Sequence, residues 1–126
     1  MEKSVIHSIK APAPIGPYSQ AVRAGNFLFI SGQIALVPET GELVAGTIQE
    51  ETRQVMSNLK NLLLEAGMDF SHVVKTSIFL SDMAHFAAVN EVYATCFSKD
   101  FPARETVAVL GLPRNVNVEI SMIACQ

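Results

Sequence analysis

Charged residues are scarce in this chain. They make up 17 % of its 126 residues, whereas hydrophobic residues make up 49 %; typical soluble domains contain about 25 % charged residues. A chain of this length is expected to form one domain, residues 1–126, whose small size leaves little interior for so much apolar material. The excess fits either the dense core of a compact monomer or an interface between subunits, and composition alone favours neither.

Basic clusters and long apolar runs are absent as well. The nine basic residues are scattered and the formal net charge is −3, which argues against nucleic-acid binding because that normally requires a basic stripe. No stretch approaches the ~20 apolar residues of a membrane span, and residues 1–7 lack the apolar core of a signal peptide. Two cysteines do not make a disulfide framework. We therefore expect a cytoplasmic protein with reduced thiols and no membrane association.

Metal-binding and cofactor motifs are also missing. His7, His72 and His85 are far apart, and no cysteine or histidine pair has the spacing of a metal site. No phosphate-binding loop is present. Cys96 and Cys125 have no neighbouring base in the sequence, which argues against nucleophilic cysteine catalysis. The sequence thus predicts no metal and no cofactor.

Apolar periodicity predicts a mixed α/β content. Phe27–Ile34 and Val73–Leu80 are typical of buried strands, and the capping box Thr47–Glu50 begins a helix that ends at Gly67. Asp82 is expected to cap a second helix. With a short extended piece at the N-terminus and two C-terminal strands, these elements predict an α+β fold: a mixed sheet covered on one face by two helices. The other face is also apolar, so partner subunits are its expected cover.

The C-terminal region carries the most informative charges. Thr106–Leu110 and Val116–Ile123 are β-rich runs separated by turn-forming residues, and they predict a β-hairpin. A charge inside so apolar a hairpin is unfavourable unless it is paired, so Arg104 needs an anion, either Glu119 or a ligand. In the register that keeps charge away from the apolar side chains, Arg104, Thr106 and Glu119 share one polar face.

Three features each allow more than one interpretation. Gly16-Pro17-Tyr18 fixes the backbone before an amphipathic tyrosine, which alone predicts a turn with a packing side chain. Ser31-Gly32 interrupts an apolar strand, where glycine permits either a β-bulge or the close approach of a ligand. Arg104 by itself fits a simple ion pair with Glu119 or Glu105.

As a set, these motifs resemble the RidA/YjgF family of reactive-intermediate deaminases. The resemblance covers nearly the whole chain and rests on segments in a specific order and spacing: Gly16–Val22, Ser31–Ile34, Thr40–Glu42, Asn58–Gly67, Asn90–Tyr93, Pro102–Arg104 and Leu112–Ile120. It implies a chorismate-mutase-like subunit and a homotrimer with sites in the clefts between subunits. It also implies hydrolysis of enamines and imines, such as 2-aminoacrylate, to 2-oxo acids and ammonia.

The resemblance further implies roles for individual residues. Arg104 matches the family's carboxylate-binding arginine and Glu119 its water-positioning glutamate. The family's pocket residues are matched here by Tyr18, Ser31, Gly32 and Asn90. Thr106 stands where many members have cysteine, so no thiol is required and the backbone amide at this position remains available to the ligand. The chemistry fits, because a guanidinium binds a planar carboxylate and an imine carbon needs only a positioned water.

Two other functions fit parts of the sequence. An arginine pocket equally suits a binding module that holds a small carboxylate and regulates a partner, whereas Glu119 favours a hydrolase like 2-iminobutanoate/2-iminopropanoate deaminase. The family name has also been linked to endoribonuclease activity and translation inhibition, which the acidic balance disfavours. The expected partners are small 2-imino or 2-oxo carboxylates and further copies of the chain. The physiological substrate stays open.

Overall fold

One six-stranded sheet organises the molecule. The computed structural model describes residues 2–126, and within them the strands are β1 (Lys3–Ile6), β2 (Ala21–Ala24), β3 (Phe27–Gln33), β4 (Val73–Leu80), β5 (Ala103–Ala108) and β6 (Val118–Cys125). The strand order is β1-β2-β3-β6-β4-β5. The β4–β5 pair is parallel and the other pairs are antiparallel. The predicted α+β class with a mixed sheet is confirmed.

Two α-helices, α1 (Ile48–Glu65) and α2 (Phe86–Ala94), lie on one face of the sheet. The predicted capping box is present at the start of α1: the Glu50 N–H donates to Thr47 Oγ1 at 3.1 Å, and the Thr47 N–H donates to Glu50 Oε1 at 3.3 Å. Asp82 caps a short 3₁₀ turn that precedes α2, rather than α2 itself. No helix within residues 2–126 has the length and apolar character needed to cross a membrane.

The hydrophobic core lies between the helices and this face of the sheet. Val55 and Leu59 of α1 are fully buried against Ile78 of β4 and Ile120 of β6. Each such side chain contributes about 1.5–3 kcal/mol through burial. Because the centre of this face is filled by core, a binding site on the helix side can lie only at the rim. The strand at that rim is β5, the edge strand of the sheet.

The opposite face of the sheet, which we call the open face, is not covered by any element of residues 2–126. Its rows of cross-strand neighbours include Val5, Phe29 and Val107, which are 60 %, 45 % and 43 % exposed. Phe27 of the same strand face is likewise exposed. Exposed apolar side chains gathered on one face of a sheet favour an interaction site, and they agree with the expectation that a partner subunit covers this face.

The predicted C-terminal hairpin is wrong. The strands β5 and β6 are not neighbours, because β4 lies between them and pairs with both. Residues 109–117 therefore pass across the end of β4, with left-handed backbone at Arg114 and Asn115. The turn-forming residues correctly predicted that the chain reverses between β5 and β6, but such residues do not specify which strand pairs with β6. The N-terminal part also contains two strands, β1 and β2, where one extended piece was predicted.

Candidate active site

A cavity of about 370 Å³ opens on the open face beside the C-terminal end of β3. It brings together four residues that the sequence singled out: Tyr18, Ser31, Gly32 and Glu119. The rest of its wall is largely apolar and comes from the segment 12–15, the residues after β3 and the turn before β6. We call these four residues the open-face half-site.

A β-bulge shapes this half-site. Between two regular pairs with β6, strand β3 contains Ser31 and Gly32 where β6 contains one residue. A side chain at position 32 would collide with Glu119, since a Cβ there would lie 2.2 Å from Glu119 Oε2. The β-bulge interpretation is therefore confirmed, and the group that lies close to the glycine is the carboxylate of Glu119; the close approach of a ligand stays a prediction.

Glu119 is a half-buried carboxylate. Neither ion pair found within residues 2–126 involves it. Burial is the cause that raises the pKa of its carboxyl group above the ordinary value. A carboxylate whose lone pairs are unoccupied and whose pKa is raised is suited to accept a proton from a water molecule.

The loop that carries Tyr18 is anchored by Gln20, a residue that sequence reasoning did not select. The Gln20 side-chain amide donates to the carbonyl groups of Ser8, Ala11 and Pro12 at 3.0, 3.2 and 2.9 Å, and its oxygen accepts from the Ser8 N–H at 2.8 Å. These hydrogen bonds are buried or partly buried and fix the segment that forms one wall of the cavity. No signal in the sequence marked Gln20, because its burial and its bonds to distant backbone groups are properties of the tertiary structure.

The hydroxyl groups of the open-face half-site are partly engaged in the fold. Ser31 Oγ donates to the Ser19 carbonyl at 2.6 Å, so Ser31 ties the bulge to the Tyr18 loop and keeps only its acceptor capacity for a ligand. Tyr18 is half exposed, and its oxygen accepts from the Ile15 N–H at 3.3 Å. The phenol proton of Tyr18 therefore remains available at the mouth of the cavity.

Arg104 lies in a second depression, at the rim of the helix side, where α2 approaches the edge strand β5. Its Nη1 donates to Asn90 Oδ1 at 2.7 Å, and its guanidinium carbon lies 5.1 Å from the centre of the Tyr93 ring and 5.8 Å from that of Phe86. Tyr93 is held in turn by a buried hydrogen bond from its hydroxyl to Thr76 Oγ1 at 3.0 Å. Three residues of one helix face thus orient the arginine.

The structure shows a contact of Asn90 that the sequence did not predict. Its side-chain oxygen accepts a hydrogen bond from Arg104, and Asn90 also lines the depression, so its role as a substrate-binding pocket residue stays a prediction. No role was predicted for Tyr93 or Phe86. Their spacing relative to Asn90, three residues on and four residues back, is the signal that places all three beside the same edge strand.

Arg104 has no carboxylate partner within residues 2–126. Glu105 faces away from it and pairs with Lys75 at 3.0 Å on the open face, where it also accepts a hydrogen bond from Ser77. That hydrogen bond is the main cause that lowers the pKa of the Glu105 carboxyl group, followed by the hydrogen bond from Lys75. The guanidinium of Arg104 therefore keeps donors free for an external anion.

Thr106 is on the same side of β5 as Arg104, two residues further along. Its Oγ1 is buried and has no hydrogen-bond partner in the described part of the chain. An unpaired buried hydroxyl is unfavourable, so a further group is expected to complete this environment. Together with Arg104 and Asn90, Thr106 forms what we call the helix-side half-site.

The two half-sites lie on opposite faces of the sheet in one chain. On β4, Thr76 is in register with Arg104, whereas Phe79 is in register with Glu119. Positions three apart on a strand point to opposite faces and are separated by about 10 Å along it. The prediction that Arg104, Thr106 and Glu119 share one face of a hairpin is therefore wrong for a single chain, because β4 intervenes and changes the register relation.

Comparisons with known proteins place this arrangement in a family. The family described as Endoribonuclease L-PSP matches residues 8–126. A mouse protein named 2-iminobutanoate/2-iminopropanoate deaminase is 49 % identical, with 98 % of this chain and 92 % of its own length covered. YyfA of Yersinia pestis, from the conserved Rid family, has a crystal structure with a TM-score of 0.97 and 45 % identity that covers 99 % of this chain and 100 % of its own. Escherichia coli TdcF, crystallised with bound serine, has a TM-score of 0.94 and 37 % identity, with 98 % of both chains covered. The chain therefore belongs to the Endoribonuclease L-PSP family, which confirms the resemblance to the RidA/YjgF proteins.

Proposed function

We propose that this protein hydrolyses 2-imino acids, including those formed from 2-enamines such as 2-aminoacrylate, to 2-oxo acids and ammonia. The observation that carries the proposal is a pair of unsatisfied, complementary groups: a fixed guanidinium with no carboxylate beside it and a half-buried carboxylate with no donor beside it. The name of the mouse relative supports the reaction class. The serine bound to the TdcF relative supports a small ligand with a carboxylate.

Arg104 is proposed to bind the substrate carboxylate. Its planar fork matches two carboxylate oxygens, and Asn90 and the aromatic rings of α2 hold the fork in one orientation before the ligand arrives. Pre-orientation of this kind reduces the ordering that binding would otherwise require. The backbone amide and free hydroxyl of Thr106 supply further polar groups on the same side.

Glu119 is proposed to position and deprotonate the attacking water. The imine reacts in its nitrogen-protonated form: the oxygen of the water bonds to the imine carbon, the π electrons of the C=N bond move to nitrogen, and one water proton passes to the Glu119 carboxylate, which gives a neutral carbinolamine. The Glu119 carboxylic acid then returns that proton to the amino nitrogen. The C–N bond breaks with its electron pair leaving on ammonia, and the hydroxyl proton passes to the Glu119 carboxylate and on to ammonia in solvent as the C=O bond of the 2-oxo acid forms. A pKa raised by burial brings this carboxyl group closer to the pH at which it must both accept and donate a proton.

A complete site is proposed to form only between subunits of a homotrimer. Each half-site lies on its own face of the sheet, and the open face exposes the apolar side chains Val5, Phe29 and Val107. If the helix-side rim of one copy packs against the open face of the next, Arg104 of the first and Glu119 of the second meet in one cleft. A head-to-tail interface of this kind closes into a ring of three when successive copies are related by a rotation of about 120°.

The proposed location is the cytoplasm. Cys96 and Cys125 are both free thiols in the described structure, and reduced cysteines are typical of cytosolic proteins.

Subunit complementation tests the shared site. Arg104→Ala and Glu119→Gln should each be inactive alone, but every mixed trimer of the two contains one cleft with both native residues. Equal mixing by co-expression should therefore recover about a quarter of the parent's sites. Differently tagged subunits allow the mixed trimers to be purified. Recovery indistinguishable from zero in verified mixed trimers would contradict a site built from two chains.

Turnover decides between enzyme and binding module. Freshly generated 2-aminoacrylate should be converted to pyruvate faster with the protein than without it, and pyruvate should bind in a separate equilibrium measurement. If pyruvate binds through Arg104 but none of several 2-imino acids is turned over, the chain is a carboxylate-binding module. The substrates should differ in side-chain size, since the apolar cavity wall leaves the preferred side chain open.

A further inference from the structure

Glu51 is a buried carboxylate that the proposed reaction does not use. It lies near the start of α1, is 7 % exposed and has no cationic partner within residues 2–126. Its Oε2 accepts from the backbone N–H groups of Asn117 and Val118 at 2.9 and 3.2 Å, and its Oε1 accepts from the Asn117 side-chain amide at 3.0 Å. All three donors belong to the two residues that directly precede Glu119.

The position of these donors in the sheet explains why a side chain is needed there. The ladder between β3 and β6 ends at the Gln33–Ile120 pair, so the first residues of β6 have no strand on that side. On the other side the Asn117 carbonyl accepts from the Ser81 N–H at 3.0 Å. Buried N–H groups without an acceptor are unfavourable, and the Glu51 carboxylate takes the place of the missing strand.

We infer that Glu51 is a positioning residue for the proposed reaction. It fixes the backbone at the start of β6, so that the Glu119 carboxylate lies over Gly32 in the open-face half-site. Glu119 has no ion-pair partner of its own, and its place depends on the backbone that carries it and on the space left by Gly32. The inference rests on the proposed function. It predicts a defect in turnover and not in carboxylate binding, because Arg104 is held independently by α2.

Three variants test the inference kinetically. Glu51→Ala should lower kcat about ten- to a hundredfold, as expected for a displaced reacting group, with the Kd for pyruvate within about twofold of the parent. Glu51→Gln should keep kcat near the parent value, because the amide oxygen of glutamine can accept hydrogen bonds from the backbone N–H groups of Asn117 and Val118. Glu51→Asp keeps the charge but is one methylene too short, so it should resemble Glu51→Ala and serves as the milder variant if alanine prevents folding.

Thr52→Val is the matched control. Thr52 is the next residue of α1, is fully buried and donates only to the Ile48 carbonyl within its own helix, at 2.7 Å. Its substitution should lower the melting temperature while kcat and KM stay near the parent values. Equal losses of kcat in Thr52→Val and Glu51→Ala would reduce Glu51 to a general stabilising residue and overturn the inference.

A pH titration of Glu119 tests the inference without a measurement of turnover. In carbon-13 NMR, the Glu119 carboxyl group of the parent and of Glu51→Gln should titrate above the ordinary range, and in Glu51→Ala or Glu51→Asp it should move down as the carboxylate gains solvent. An unaltered Glu119 titration in folded Glu51→Ala and Glu51→Asp contradicts the inference. If the parent turns over no imino acid, the proposed function fails, and this titration still decides whether Glu51 positions Glu119.

Discussion

The two half-sites are held in place by different means. In the helix-side half-site, direct contacts fix the functional group: Asn90 accepts from Arg104, and the Tyr93 ring supports its guanidinium. In the open-face half-site, Glu119 has no ion-pair partner, and backbone features determine its position, namely the bulge at Gly32 and the start of β6. This difference suits the proposed roles: Arg104 as an anchor can be held by direct contacts, whereas Glu119 as a base must keep its lone pairs free and is therefore positioned through the backbone.

This difference has energetic consequences. A charge-assisted hydrogen bond such as that between Arg104 and Asn90 contributes roughly 1.5–3 kcal/mol, so the anchor is robust to small changes elsewhere. The carboxylate of Glu119 is instead partly desolvated without compensation, which raises its pKa and makes the ionised form unfavourable in the fold. Groups kept in such an unfavourable state are typical of functional sites.

Removing the anchor should have the largest effect. Arg104→Ala removes the two charge-assisted hydrogen bonds that we propose for the substrate carboxylate, so kcat/KM should fall about 10²- to 10⁴-fold. Pyruvate binding should be lost as well, while the assembly stays folded. Arg53→Ala removes an exposed arginine of α1 and is the control. Parent-like binding and turnover in Arg104→Ala would make the arginine a structural residue only.

Neutralising the base should separate catalysis from binding. Glu119→Gln keeps the shape of the side chain but is a far weaker base, so kcat should fall about a hundredfold or more. The Kd for pyruvate should change little, because the anchor lies in the other half-site. Steady-state kinetics and calorimetric binding measure the two effects separately, and an equal loss of both would show that Glu119 serves the same role as Arg104.

Filling the space beside Glu119 should have an intermediate effect. The Cβ of Gly32→Ala would lie 2.2 Å from Glu119 Oε2, so the carboxylate must move and kcat should fall about tenfold. Gly111→Ala is the matched control, since its added Cβ meets nothing within 4 Å. Turnover assays on both variants test this, and a fully active Gly32→Ala would show that the carboxylate need not occupy this position.

The unfavourable charge of Glu119 should also be visible in stability. Its folded-state pKa is raised by burial, so the ionised carboxylate destabilises the fold at pH values above that pKa, and the penalty disappears as the pH falls below the ordinary glutamate value. Glu119→Gln should therefore raise the melting temperature at pH 7, and this gain should shrink on acidification. The kcat of the parent should decrease as the pH is lowered past the raised pKa of Glu119, because the proposed base must be ionised.

Substituting the thiols should have the smallest effect. Cys96 and Cys125 are free and half buried, and neither lines the open-face cavity or the depression around Arg104. The pKa of the Cys96 thiol is raised, mainly by burial, and this disfavours the reactive thiolate. Cys96→Ser and Cys125→Ser should keep kcat/KM within about twofold of the parent, and loss of turnover on thiol alkylation of the folded protein would contradict the assignment.

Local signals in the sequence were sufficient for several elements. The Thr47–Glu50 capping box and the apolar stripe behind it defined α1, and Val73–Leu80 was predicted with the bounds that β4 has. Arg104 and Glu119 could be selected because charges in apolar strands need an explanation. Glu51 and Gln20 could not, since a buried polar residue that bonds to distant backbone groups looks in sequence like any other polar residue.

The sequence by itself determined the elements, their apolar faces and the chemical groups available for a reaction, because capping, periodicity and the need to pair buried charge act over a few residues. Only the tertiary structure decided which strands are neighbours. By placing β4 between β5 and β6, it put Arg104 and Glu119 on opposite faces of the sheet. The physical reason is that an apolar strand such as β4 is stable only with both edges paired and its face buried, a requirement of the whole chain that no local segment expresses.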